Sequence, residues 1–461
     1  MSLLRTLLLL STVVLIVLIG IKINSLIQPP PVPKIEENRY WGPGNRPSKE
    51  DTTIKSFKIS VSEEILTDLK TRLETTRTLT PPLEGIQQQY GFNTNLLQKV
   101  INYWKKDYDW RKRETFLNQF PQYKTRIQGL NLHYIHVKPK NVRTLPLLLL
   151  HGWPGSVREF YKIIPILTKP QQGQDFAFEV IVPSLPGYGF SEGSSKPGFG
   201  SIEIAMVLKN LMKRIGHDKF YVQGGDWGAI LVANMAALFP ENILGLHSNM
   251  CSSISFISNL KVALGSIYPP LIIDKRYEHQ MYPFSEKLQK GLEESGYFHI
   301  QATKPDTIGV AIGQSPAGLA AYILEKFSTG TNYTYKARED GGLLEKFTYD
   351  ELIDNLMLYW VTNSFTTSAR IYAESFTKAQ LAHRVMEIPI KENVPCACAR
   401  FAHEIIYNTD WILRDKFTNL IQTTDFDKGG HFAALEEPQL LAQDIVSAVR
   451  KMERWRNGKK E

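Results

Sequence analysis

A chain of 461 residues, 43% hydrophobic and 11% aromatic, can bury a large core, which excludes a disordered or fibrous protein. Its 54 basic residues outweigh 46 acidic ones by +8, but they form no basic stripe with interleaved aromatics, which argues against nucleic acid and for an anionic membrane surface. The three cysteines, Cys251, Cys396 and Cys398, make no disulfide framework and no zinc site, and read as small buried residues in a reducing compartment.

From Leu7 to Ile21 runs an uncharged apolar stretch, with Arg5 before it and Lys22 behind it. Extended to Leu3–Ile27 it is long enough to span a bilayer, and no small-residue cleavage site follows, only Lys22, Asn24 and the prolines from Pro29 to Pro33. Lys22, Lys34 and Arg39 outnumber Arg5, so the positive-inside rule places the bulk of the chain in the cytoplasm, where the sequon at Asn332 stays unmodified. The Pro- and Gly-rich residues 28–56 read as a linker lying against the body. Ser60 with Glu63 predicts a capping box ahead of Ile65, Leu66, Leu69 and Leu73, and Leu97, Val100, Ile101 and Trp104 predict a second helix. Tyr123 to Ile127 and Leu130 to Val137 alternate around Gln128-Gly129, the pattern of a hairpin.

Leu145 to Leu150 is an apolar strand that runs into His151-Gly152-Trp153-Pro154-Gly155. Phe178 to Val182 is the next strand, Ile204 to Ile215 a helix and Lys219 to Gln223 a third strand. That strand enters Gly224-Gly225-Asp226-Trp227-Gly228, and an apolar helix, Ala229 to Phe239, leaves it. The alternation predicts a mostly parallel sheet covered on both faces, and the glycine-bracketed acid is a nucleophile elbow of the α/β-hydrolase fold with Asp226 at its tip. A carboxylate nucleophile forms an alkyl ester at a saturated carbon, so it suits epoxides or alkyl halides rather than esters. The competing reading is that Asp226 merely caps the helix. Gly189-Phe190-Ser191-Glu192-Gly193 fits the serine-hydrolase pattern, but no apolar helix follows it, so Ser191 is not expected to be a nucleophile.

From Ser252 to Phe376 the alternation gives way to helical patterns, including Pro316 to Phe327 and Asp350 to Asn363, which predict a cap over the strand ends. Val394 to Phe401 resumes as a buried strand with Glu404 at its exit, and Gly429-Gly430-His431-Phe432 precedes an amphipathic helix of Leu440, Leu441, Ile445 and Val449. Asp226, Glu404 and His431 thus follow the order nucleophile, acid, base, with Asp410, Asp425 and Asp427 as rivals to Glu404. The amides of Trp153 and Trp227 are the expected oxyanion donors.

With Trp41-Gly42-Pro43-Gly44, the segment from Trp110 to Tyr123, Ser295-Gly296-Tyr297 and Tyr372, these motifs resemble those of a microsomal-type epoxide hydrolase, and within that family the insect juvenile hormone epoxide hydrolases. The resemblance spans nearly the whole chain. It implies that Tyr297 and Tyr372, two of 20 tyrosines, protonate the epoxide oxygen, that no cofactor or metal is needed, and that a lipophilic epoxide such as juvenile hormone is opened to its diol through an ester on Asp226 that water then hydrolyses. Membrane lipid, through the first helix, and no nucleic acid complete the expected partners. The organisation is then an anchor over 1–27, a linker over 28–56, an N-terminal extension over 57–140, a core in two parts over 141–251 and 377–461, and a cap over 252–376. A general xenobiotic epoxide hydrolase, a haloalkane dehalogenase and a non-catalytic binding protein are the alternatives. The tyrosine pair speaks against the dehalogenase, and the complete triad against the binding protein.

Overall fold

The structure is a computed structural model that describes residues 3–170 and 174–458. The outermost residues of the anchor and of the last core segment, 1–2 and 459–461, lie outside it. Strands β1 (Lys55–Phe57), β2 (Gln122–Ile127), β3 (Leu130–Val137), β4 (Arg143–Leu150), β5 (Phe176–Pro183), β6 (Phe220–Gly224), β7 (Ile243–Ser248), β8 (Cys396–Arg400) and β9 (Leu420–Asp425) form one sheet in the order β1-β2-β3-β5-β4-β6-β7-β8-β9. From β5 across to β9 every pairing is parallel, and β1, β2 and β3 extend the edge antiparallel. The parallel strands read as apolar runs because helices cover both faces, and Leu147 to Leu150 and Val180 to Val182 are essentially inaccessible.

The helices of eight or more residues are α1 (Leu3–Ile27), α2 (Glu63–Glu74), α3 (Thr94–Lys106), α4 (Trp110–Leu117), α5 (Ser201–Ile215) and α6 (Trp227–Leu238), and in the cap α7 (Phe256–Ile267), α8 (Phe284–Glu294), α9 (Gly296–Thr303), α10 (Pro305–Gly313), α11 (Pro316–Thr331), α12 (Tyr349–Trp360) and α13 (Phe365–Ser375), followed by α14 (Pro438–Gly458). α1 is long and apolar enough to cross a membrane, and its window Leu10–Ile27 has no buried residue, as membrane anchoring requires. Behind it Trp41 is buried, its N–H donating to Gln128 O at 2.8 Å, so the proline-rich segment does lie on the body.

Two expectations are corrected. The cap of α2 is Ser62, whose Oγ accepts from Ile65 N; Glu63 is the first helical residue and pairs with Arg111, so the predicted Ser60 box does not form. Cys251 and Cys398 are joined in a disulfide, with only Cys396 left as a buried free thiol. The sheet explains the pairing: β8 lies beside β7 with Cys398 opposite Ser248, which brings the chain just past β7 to 5.9 Å between the two Cα atoms across 147 residues of sequence. The reducing-compartment argument from cysteine usage therefore falls.

The extension, the core and the cap are fastened at one buried carboxylate. Asp354 of α12 accepts from Tyr108 (3.0 Å), from Arg113 Nε (2.8 Å) and from Arg158 Nε (2.8 Å), and it is fully inaccessible. Removing one member of such a network leaves a buried charge unpaired, at a cost of about 3–5 kcal/mol.

Candidate active site

Asp226 sits between β6 and α6 with φ 50° and ψ −127°, a region that residues other than glycine seldom occupy. Close packing enforces the bend. A Cβ on Gly228 would stand 2.0 Å from Leu150 O, and one on Gly152 would stand 2.1 Å from Asp226 Oδ1. The carboxylate makes no capping bond to α6, so the simple capping reading does not hold. Its Oδ1 instead accepts from the Trp153 amide at 2.7 Å, and its Oδ2 lies 3.3 Å from His431 Nε2. Of the two expected amides, Trp153 alone donates to the carboxylate among the described hydrogen bonds. Trp227 opens α6, so its N–H is one of the first-turn donors without an intrahelical acceptor.

The loop that carries Trp153 is held by the cap. Asn355 Nδ2 donates to Pro154 O (2.8 Å), the Tyr359 hydroxyl donates to Gly155 O (2.8 Å), and Ser156 Oγ donates to Asn355 Oδ1 (2.7 Å). One face of α12 therefore fixes the position of the amide that meets Asp226.

Glu404, four residues past β8, accepts from His431 Nδ1 at 2.7 Å and from the Ile405 amide at 2.7 Å. Its rivals are engaged elsewhere: Asp410 and Asp425 each pair with Arg400 at 2.7 Å, and Asp427 pairs with Arg276 at 2.8 Å. The His431 loop is braced on both sides, by its own amide donating to Gly330 O (3.0 Å) and by Glu436 accepting from the Gly430 and Phe432 amides (2.8 Å each). Burial works against charge on the imidazole, but the Glu404 carboxylate and the hydrogen bond to Asp226 outweigh it and hold the His431 pKa well above its ordinary value.

Around the carboxylate stand four aromatic side chains, Trp153, Trp227, Tyr297 and Tyr372. Tyr297 of α9 stacks on Trp153 with centroids 4.9 Å apart, and Tyr372 of α13 meets Trp227 edge-on at 4.9 Å and Tyr297 at 6.0 Å. Burial first, and charge repulsion by Asp226 besides, push both phenol pKa values upward, so both remain protonated donors. Ser191 takes no part: its Oγ donates to Ser184 O at 2.7 Å and accepts from the His133 amide, gluing its loop.

Sequence reasoning missed Glu159 and Asn249. Both line a cavity of about 10 Å³, room for a single water, together with Asp226, His431 and Trp153. Burial pushes the Glu159 carboxyl up to about 8, so it is largely neutral at physiological pH. The available signal was the position of an acid four residues past Gly155.

Comparison with known proteins follows the same lines. A model described as "Epoxide hydrolase N terminus" matches residues 54–160, and one described as "alpha/beta hydrolase fold" matches residues 146–267. Juvenile hormone epoxide hydrolase 2 of Ctenocephalides felis is 52% identical over 95% of this chain and 94% of its own length. The chain belongs to the epoxide hydrolase family. Epoxide hydrolase 1 of Oryctolagus cuniculus is 47% identical to this epoxide hydrolase over 91% of the chain and 93% of its own. The crystal structure of juvenile hormone epoxide hydrolase from the silkworm Bombyx mori superimposes with a TM-score of 0.90 at 46% identity, covering 92% of this chain and all of that one. The fold and family expected from the motifs are thus borne out.

Proposed function

We propose that the enzyme converts a lipophilic epoxide to its vicinal diol through an ester on Asp226, with juvenile hormone as the physiological substrate. What carries the reading is the division of one carboxylate between two partners, Trp153 N–H on Oδ1 and His431 on Oδ2. Oδ2 attacks a ring carbon and the C–O bond of the epoxide breaks. The released electron pair takes a proton from Tyr297 or Tyr372, which leaves an alkyl ester. Water then attacks the Asp226 carbonyl carbon as His431 accepts its proton and Glu404 steadies the imidazolium. Charge developing on Oδ1 meets the Trp153 and Trp227 amides. Collapse releases the diol, and the imidazolium proton restores the phenol.

Juvenile hormone, a terpenoid epoxide with a methyl ester, is favoured by relatives named for it at 52% and 46% identity over more than nine-tenths of the chain. With purified enzyme, kcat/KM for juvenile hormone should exceed that for a simple aromatic epoxide by at least about tenfold, an increment that a few pocket contacts supply. Equal values would mark a general epoxide hydrolase.

The body is assigned to the cytoplasmic side, on the basic residues behind α1 alone. Protease added to sealed microsomes should then digest it, and glycosidase should leave its mass unchanged. Protection together with glycan at Asn332 would reverse the orientation.

A further inference from the structure

We infer that α7 and the turn after it form a membrane-docking face, which lays this one corner of the cap on the bilayer that receives α1. The inference rests on reading α1 as a membrane helix. α7 is fixed to the body along one side only. Ser258 Oγ donates to Asp415 at 2.8 Å, Lys261 Nζ donates to Asp415 (2.7 Å) and to Trp411 O (2.8 Å), and Gly265 packs so tightly on Tyr282 that a Cβ would meet its hydroxyl at 1.8 Å. These positions recur every three to four residues, so the helix cannot roll. The opposite side carries Leu260, Leu264 and Ile267, and the next turn adds Leu271; all four are between 40% and 84% exposed. An unbroken apolar row of this length on a soluble surface marks a contact site.

Two observations identify lipid as the occupant. α1 touches α7, and Leu26 is the half-buried side chain among the described ones of α1, which locates the contact at the end where the helix leaves the membrane. α7 therefore lies at the depth of the boundary between headgroups and acyl chains. It also contains no acidic residue, and its one cation, Lys261, points inward, so nothing on the outer row resists insertion. The arrangement sets the cap beside the phase in which a lipophilic epoxide dissolves.

The test uses the full chain in phosphatidylcholine–phosphatidylserine vesicles, spin-labelled singly at Ile16→Cys, Leu264→Cys, Ile267→Cys and Val310→Cys. The native cysteines are paired or buried and do not compete for label. Collision with oxygen is compared with collision with a water-soluble nickel chelate, and turnover of a water-soluble epoxide verifies the fold of each variant. Labels at 264 and 267 should be oxygen-rich and nickel-poor like the one at 16, and the label at Val310, exposed on α10, should be the reverse. Water-like values at 264 and 267 beside a buried label at 16 would overturn the docking face and leave the anchor standing. A water-like label at 16 would overturn both. Spin–spin broadening at 267 between copies would assign the face to a second molecule instead.

Discussion

His431→Gln should alkylate on Asp226 and then stop, with steady-state turnover reduced by roughly 10²–10⁴-fold, the range that general-base catalysis contributes. Ester formation uses a carboxylate that already carries its charge, whereas ester hydrolysis requires water to lose a proton as it attacks. Incubated with an epoxide and weighed intact, the variant should gain the mass of one substrate, and peptide mapping should find it on Asp226. Glu404→Gln should show the same arrest more mildly, because His431 persists with a weaker hydrogen bond at Nδ1, now 2.7 Å from a carboxylate. The elevated pKa of His431 adds a pH signature. Glu404 and Asp226 hold the imidazole charged against the effect of burial, but alkylation removes the Asp226 charge, so in the ester the pKa falls and the neutral base becomes available. Ester breakdown should accordingly accelerate as pH rises through that lowered pKa, and ester formation should not follow it. A His431 variant that folds and binds substrate yet forms no adduct would place the imidazole before the ester.

Replacing both cap tyrosines should damage the other half of the reaction. Tyr297→Phe and Tyr372→Phe should each slow alkylation by about tenfold, since the remaining phenol still donates, and the double change should cost roughly 10³-fold, the loss expected when an epoxide oxygen has no donor. The rings are packed on Trp153 and Trp227 by their faces and edges, so removing the hydroxyls leaves the aromatic stack intact. Pre-steady-state measurement of ester formation separates this effect from hydrolysis. Wild-type alkylation in the double variant would remove the phenols from the mechanism.

The parts legible in the sequence were those where one local pattern has one physical cause. β4, β5 and β6 are apolar because both faces are covered, and the elbow announces itself because glycines at 152, 224 and 228 are demanded by sub-van-der-Waals approaches. Where polar residues are satisfied at a distance, the pattern was silent. β7 and β9 contain His247 and Gln422, and both are answered by Asp444 of α14, His247 Nε2 at 2.9 Å and Gln422 Nε2 at 2.8 Å. No window around either strand holds that partner. The Cys251–Cys398 bond was hidden for the same reason, since its halves meet only through the order of strands. Tyr297 and Tyr372 came from family resemblance, because helical spacing does not distinguish them from the other tyrosines. Glu159 was passed over because an isolated acid after a turn reads as solvated until the fold buries it beside His431.

The covalent role of Asp226 is the claim on which the rest depends, and a single turnover in heavy-oxygen water addresses it directly. With enzyme in excess over epoxide, the oxygen added to the first diol should be unlabelled, because it leaves from the Asp226 carboxylate, and the label should then be found in the Asp226 peptide. Labelled oxygen in the first-turnover diol, with none in the peptide, would mean that water attacks the epoxide directly and would contradict the ester mechanism.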